Sequence, residues 1–115
     1  MSNLKLYIAV LDEVPDHMVP VLVAHAMLGA HLEWIPVDSG YHGDSILYYE
    51  WLKKSFRKVV LKVNRKEFDK IKMTVPDVFL AHENSVLEGT KSCAVVYPRT
   101  EYPNVIKFAK MWKPN

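Results

Sequence analysis

The chain has 115 residues, of which 50% are hydrophobic and 24% are charged. This composition is typical of a globular protein, and the length favours one domain over residues 1–115 with a single hydrophobic core. The formal net charge of +2 is too small to indicate a nucleic-acid-binding protein by itself.

Other features of the sequence argue against secretion and membrane insertion. The longest apolar run, Met18 to Ala24, is too short to span a bilayer. The start of the chain lacks the cationic region and long apolar stretch of a signal peptide. Cys93 is the single cysteine, so no intramolecular disulfide can form, and its apolar neighbours indicate a buried side chain. We therefore expect a cytoplasmic protein.

The first part of the chain predicts a strand and a long helix. Residues 4–11 become continuously apolar, as a central strand covered on both faces would. An acidic loop follows, and residues 17–31 have helical spacing, with Pro20 in the first turn, where its missing N–H costs little. Several residues of this helix are small and permit close approach to a sheet: Ala24, Ala26, Gly29 and Ala30.

The remainder alternates between strands and helices. Residues 58–63 are rich in β-branched side chains, which favour a strand. Asn64 caps the next helix, with Glu67 at the reciprocal position of a capping box, and Pro76 ends that unit. The other predicted elements are a helix from Asp44 or Ser45 to about Lys54, short strands over 78–81 and 92–97, and a last helix over about 103–112.

This order predicts a single α/β domain of three layers. Strands one and two are joined through helices, which favours parallel pairing. Strands three and four are joined by a short loop, which permits antiparallel pairing. We therefore expect a mixed four-stranded sheet with the first strand at its centre and helices on both faces.

Three segments resemble type 2 peptidyl-tRNA hydrolases, in the order in which that family carries them. Ala24 to Ala30 is similar to the family's Ser-His-Ala-Ala-Val-Gly-Ala stretch, with His25 and Gly29 in register. Val59 to Val63 looks like its second strand, and Gly89 to Ser92 looks like its Gly-Thr-Lys-Thr turn. The resemblance covers most of the chain. It implies that family's fold, ester hydrolysis as the activity and tRNA as a partner.

The chain departs from the family where the family carries its working side chains. The glycines and lysines of the family's loop fall on Pro15, Asp16, His17 and Met18, and a helix glutamine falls on Leu22. Met18 and Leu22 can neither activate water nor stabilise an oxyanion. The family's aspartate falls on Leu80, or on Glu83 if three residues are deleted.

These departures indicate a divergent member of the fold, nearer to a related and largely uncharacterised group that opens with a similar strand ending in Leu-Asp. We expect it to lack hydrolysis and to bind a small ligand or a partner. An active hydrolase with a rearranged site is the second hypothesis. An interaction module acting through an oligomer, such as a homodimer, is the third.

Candidate site residues cluster after the first and third strands. For a rearranged catalytic site the candidates are His17, Glu83 and Lys91. The candidate ligand-binding residues are Asp12, Glu13, His17, His25, His82, Thr90 and Lys91. A carboxylate beside an imidazole, as at His17, is typical of a general base, whereas an exposed capping residue is the alternative. For His25 the alternative is a satisfied buried histidine. If the first and third strands point the same way, their following loops meet at one rim.

Basic and aromatic residues crowd a further stretch. The basic residues are Lys53, Lys54, Arg57, Lys58, Lys62, Arg65 and Lys66, which favour either a solvated face or a contact with a polyanion. The aromatic residues among and before them, Tyr48, Tyr49, Trp51 and Phe56, either stack on bases or form core and rim. The chain has no zinc-ligand spacing and no glycine-rich phosphate loop, so neither a metal nor a cofactor is predicted.

Overall fold

The computed structural model describes residues 4–35, 46–82 and 91–113. In chain order the elements are β1 (Lys5–Leu11), a 3-10 turn (Asp16–Met18), α1 (Val19–Trp34), α2 (Ile46–Glu50), a π-helical continuation of α2 (Trp51–Ser55), β2 (Arg57–Val63), α3 (Arg65–Thr74), β3 (Val78–His82), β4 (Lys91–Arg99), α4 (Asn104–Lys107) and β5 (Lys110–Met111). None of the helices in these ranges is long and apolar enough to cross a membrane.

The described strands form one mixed sheet in the order β3-β4-β1-β2-β5. β1 pairs parallel with β2 and antiparallel with β4, and β3 pairs antiparallel with β4. The central first strand and the two predicted pairings are therefore confirmed. Since β1 and β3 both run antiparallel to β4, they point the same way. The carboxyl ends of β1, β2 and β3 consequently lie at one edge of the sheet.

The C-terminal end corrects two predictions, the count of four strands and the helix over about 103–112. α4 covers only Asn104–Lys107, and Lys110–Met111 adds a fifth strand on the free edge of β2. The Trp112 backbone N–H extends this contact by donating to the Val60 carbonyl at 2.8 Å. An uncovered strand edge presents unpaired backbone groups, so pairing them competes with continuing the helix.

Both faces of the sheet are covered. Successive side chains of a strand point to opposite faces of the sheet. Those of Leu6 to Leu11 in β1 and of Ser92 to Tyr97 in β4 are all buried, apart from the half-buried Tyr7. The connections β1-to-β2 and β2-to-β3 cross the sheet in opposite directions, and crossovers of parallel strands are right-handed. We infer that α1 and α2 cover one face and α3 the other, as the predicted three layers require.

Local contacts explain how two helices are set. Asn64 Oδ1 accepts from the Glu67 backbone N–H at 2.8 Å, and Glu67 Oε1 accepts from the Asn64 N–H at 2.9 Å, so the predicted capping box is confirmed. On α1, a Cβ placed on Gly29 would lie 2.6 Å from Phe79 Cζ on β3. A larger residue at position 29 would therefore require the Phe79 ring to move.

Candidate functional site

The predicted site residues are distributed along the carboxyl edge of the parallel strands. Asp12 and Glu13 follow β1 directly and are exposed, and the Asp12 N–H donates to the Val63 carbonyl at 2.7 Å. His82 is the last residue of β3, and Lys91 is the exposed first residue of β4. β1 and β3 point the same way, so the residues that follow β1 lie at the same edge of the sheet as the end of β3.

Other candidates fall elsewhere. His17 is exposed in the 3-10 turn that precedes α1. His25 is exposed on α1, so the alternative of a buried histidine was wrong. It follows Val19 by six residues, which places it roughly 9 Å along the helix from its start. Glu83 and Thr90 lie outside the described residues.

Glu13 is turned towards β2 and α3. Its carboxylate forms a two-pronged ion pair with Arg65, with Nη2 2.7 Å from Oε1 and Nε 3.1 Å from Oε2. The hydrogen bonds that Arg65 donates to the Glu13 carboxylate raise the pKa of its guanidinium. In the strand order, β2 lies on one side of β1, and β4 and β3 lie on the other. The contact with Arg65 therefore directs Glu13 away from the strand that ends at His82. The polar groups after β1 therefore group with those after β2.

A polar pocket of about 390 Å³ lies beside this ion pair. Its lining residues are Asp12, Lys62, Asn64, Glu67, Phe108 and Lys110. The Asn64 and Glu67 side chains bond each other's backbone in the capping box. The charged groups that line the pocket are the carboxylates of Asp12 and Glu67 and the ammonium groups of Lys62 and Lys110. We call this cavity the edge pocket.

The two lysines of the edge pocket face each other. Lys62 of β2 is the direct cross-strand partner of Lys110 of β5, and neither forms an ion pair with the residues that the structure describes. Like charges directly opposite on antiparallel strands destabilise the sheet. An anion bound between the two ammonium groups, away from the Asp12 and Glu67 carboxylates, would remove this repulsion.

The two positions that the resemblance assigns to a lysine and a glutamine carry no polar group near this edge. Leu22 is only 5% exposed and belongs to the core, and Met18 packs partly buried against it. Both residues stabilise α1 against the sheet, and neither can hold or polarise a water molecule.

Ser92 is a polar residue that the sequence-based candidate list missed. It is fully buried in β4 beside Lys91, and its hydroxyl has no hydrogen-bond partner among the described residues. A serine inside an apolar strand was the available signal. The next residue, Cys93, is buried as predicted, and burial raises the pKa of its thiol to about 12, which makes it unreactive.

A second cavity, of about 350 Å³, opens between α1 and α2. Its lining residues are Met27, Leu28, His31, Tyr48, Trp51, Leu52, Phe56 and Lys58. This apolar pocket is not predictable from the sequence pattern, because α1 and the α2 segment are brought together only by packing on the sheet. Tyr48 and Trp51 form its floor at 1% exposure each, whereas Phe56 at the rim is 57% exposed. The core-and-rim interpretation of these aromatic residues is therefore confirmed.

Hydrogen bonds hold the floor of the apolar pocket in place. The Tyr48 hydroxyl lies 2.9 Å from His31 Nδ1, and the Trp51 indole N–H donates to the Arg57 carbonyl at 2.7 Å. Burial, with a smaller contribution from Tyr97, raises the pKa of Tyr48 to about 12, so its phenol stays neutral. The chain then turns sharply at Phe56, whose φ of 59° is left-handed.

No cluster of three or more metal-ligating side chains occurs within the described ranges. The chain matches no protein-family model and no curated protein sequence.

Proposed function

We propose that the protein is a divergent relative of the type 2 peptidyl-tRNA hydrolases that does not hydrolyse peptidyl-tRNA and binds a small anion in the edge pocket. The observation that carries the proposal is the cross-strand pair of Lys62 and Lys110 lining that pocket. Neither ammonium group has an ion-pair partner among the residues that the structure describes, so the two repel one another. An anion between them would remove the repulsion.

The other lining residues favour an anion that also carries a flat group. Phe108 is 77% exposed at the pocket wall, which is unusual for a side chain this large and leaves its ring free to stack. The carboxylates of Asp12 and Glu67 supply acceptors for hydroxyl groups. The pocket volume of about 390 Å³ lies within the range usual for small-molecule sites. A nucleoside monophosphate combines these three features.

Loss of hydrolysis is supported by the chemistry of α1. Removal of one preorganised polar group commonly lowers an enzyme's rate by about 10²–10³. Here Met18 and Leu22 stand where the resemblance expects a lysine and a glutamine, and Leu22 is buried in the core.

The second hypothesis is an active hydrolase with a rearranged site. His17 and Lys91 are both exposed, so each is accessible to a substrate as a candidate catalytic group. A single-turnover assay with a peptidyl-tRNA analogue separates the two hypotheses. Robust turnover that is lost in Lys91→Ala or His17→Ala would establish the hydrolase and remove the first proposal.

The ligand proposal is tested by titrating the protein with AMP and, separately, with inorganic phosphate, using NMR chemical shifts. We expect AMP to bind more tightly than phosphate and Lys62→Met or Lys110→Met to weaken AMP binding at least about tenfold. Lys107→Met is the matched control, because Lys107 is an exposed lysine of α4 that does not line the pocket. Equal weakening by Lys107→Met, or no AMP binding at millimolar concentration, would overturn the proposal.

A further inference from the structure

One exposed face of α1 carries three large apolar side chains, with the exposed His25 between the first two of them. Val21, Leu28 and Leu32 are 74%, 62% and 53% exposed, and their spacing places them along one face of the helix. The face runs about 16 Å from Val21 to Leu32, or about three helical turns. Because Leu28 also lines the apolar pocket, the helix face and the pocket form one continuous apolar groove.

Basic residues lie in the segment on the α2 side of this groove, and one of them, Lys58, lines the pocket. The segment that supplies Leu52 and Phe56 to the pocket also carries four cationic residues, all exposed: Lys53, Lys54, Arg57 and Lys58. None of the four forms an ion pair with a residue in the described ranges. Lys58 instead lies 3.4 Å from the centre of the Phe56 ring and donates to the Phe56 carbonyl at 2.8 Å. Burial lowers the pKa of its ammonium group, which a nearby carboxylate would reverse.

We propose that this groove docks an acidic amphipathic helix of a partner protein. The apolar side chains of the partner would pack on Leu28, Leu32 and the pocket, and its carboxylates would pair with Lys58 at the pocket and with the exposed lysines of the neighbouring π-helical segment. Helix-in-groove recognition uses apolar anchors at positions i, i+3, i+4 and i+7, and three turns of α1 are long enough to accept that spacing. Charge complementarity sets the sign of the partner's polar face.

Two other occupants fit the groove less well. RNA bases need accessible aromatic faces, but Tyr48 and Trp51 are each only 1% exposed and cannot stack on a base. The exposed Phe56 ring is stacked on Trp51 and also has the Lys58 ammonium group 3.4 Å from its centre, so its faces are already in contact with other side chains. A second copy of the chain would bring the same four cations into a two-fold interface, where they would repel one another.

The test uses a fluorescent synthetic peptide of 18 residues with leucines on one helical face and glutamates on the other. Fluorescence anisotropy measures its binding to the full chain, and a peptide with lysines in place of the glutamates is the charge control. We expect the acidic peptide to bind at least about tenfold more tightly than the basic one. We also expect Leu28→Asp to weaken binding at least about tenfold.

Met73→Asp is the matched control for Leu28→Asp, because Met73 is an 84% exposed apolar residue of α3, away from the groove. Both variants are checked for folding by circular dichroism. Equal binding of the two peptides, failure of the acidic peptide to bind, or equal weakening by Met73→Asp would overturn the proposal. Displacement of the peptide by a single-stranded RNA, or a dimer in sedimentation that Leu28→Asp dissociates, would assign the groove to another occupant and also overturn it.

Discussion

Lys62 of β2 and Lys110 of β5 are direct cross-strand partners and line the same pocket. A pair of like charges in this position lowers the stability of the protein without a ligand. The repulsion between these two lysines therefore lies at the edge pocket itself.

Reversing one of these charges should stabilise the free protein. We expect Lys110→Glu to raise the free energy of unfolding by about 0.5–1 kcal/mol, because a repulsive cross-strand pair becomes attractive. Urea denaturation measures the change, and the gain should shrink in high salt. Lys107→Glu makes the same change in net charge without a cross-strand partner, so an equal gain in that variant would contradict the explanation.

The buried phenol of Tyr48 makes stability depend on alkaline pH. Its pKa is raised from 10.0 to about 12 in the folded protein, so folding favours the neutral phenol. The resulting stabilisation is fully present below pH 10 and is lost as the pH rises from 10 to about 12. We expect Tyr48→Phe to lose less stability than the wild type over this interval. Parallel pH dependences of the unfolding free energies of the two proteins would show that Tyr48 is not responsible.

Removal of the Tyr48 hydroxyl also has a cost at neutral pH. Tyr48→Phe leaves the partly buried His31 Nδ1 without this hydrogen bond, which we expect to lower the free energy of unfolding by about 1 kcal/mol. Urea denaturation at pH 7 provides the measurement. An unchanged unfolding midpoint would mean that water replaces the hydroxyl without loss.

Gly29 and Phe79 should be energetically coupled. Alanine at position 29 gains about 1 kcal/mol of helix propensity, but its Cβ would collide with the Phe79 ring. In a Phe79→Ala background the collision is absent. We therefore expect Gly29→Ala to be more favourable there than in the wild type, by at least about 1 kcal/mol in a double-mutant cycle. Additive effects would show that the ring moves aside without cost.

Cys93 should be protected from thiol reagents in the native protein. Its side chain is fully buried, and the pKa of its thiol is raised to about 12, so little thiolate exists at neutral pH. We expect no reaction with a disulfide reagent until denaturant unfolds the chain, as followed by absorbance. Rapid labelling under native conditions would indicate local opening of β4.

Local patterns in the sequence were sufficient for most elements. The continuous apolar run of β1, Asn64 with Glu67 at the start of α3 and the β-branched residues of β2 each specify their structure through neighbours in the chain. The predicted length of the last helix was too great, because the residues after Phe108 have helical potential but pair instead with the edge of β2. That edge is distant in sequence, so no local pattern reveals it.

The candidate site shows the same division. By itself the sequence determined that Asp12 and Glu13 follow the first strand, that Cys93 is buried, and that Met18 and Leu22 lack catalytic groups. Only the tertiary structure decided that Glu13 pairs with Arg65, that Lys62 faces Lys110, and that Leu28 and Phe56 share a pocket. Each of these pairs joins segments far apart in the chain, and strand order and helix packing, which are collective properties of the whole core, determine which segments meet.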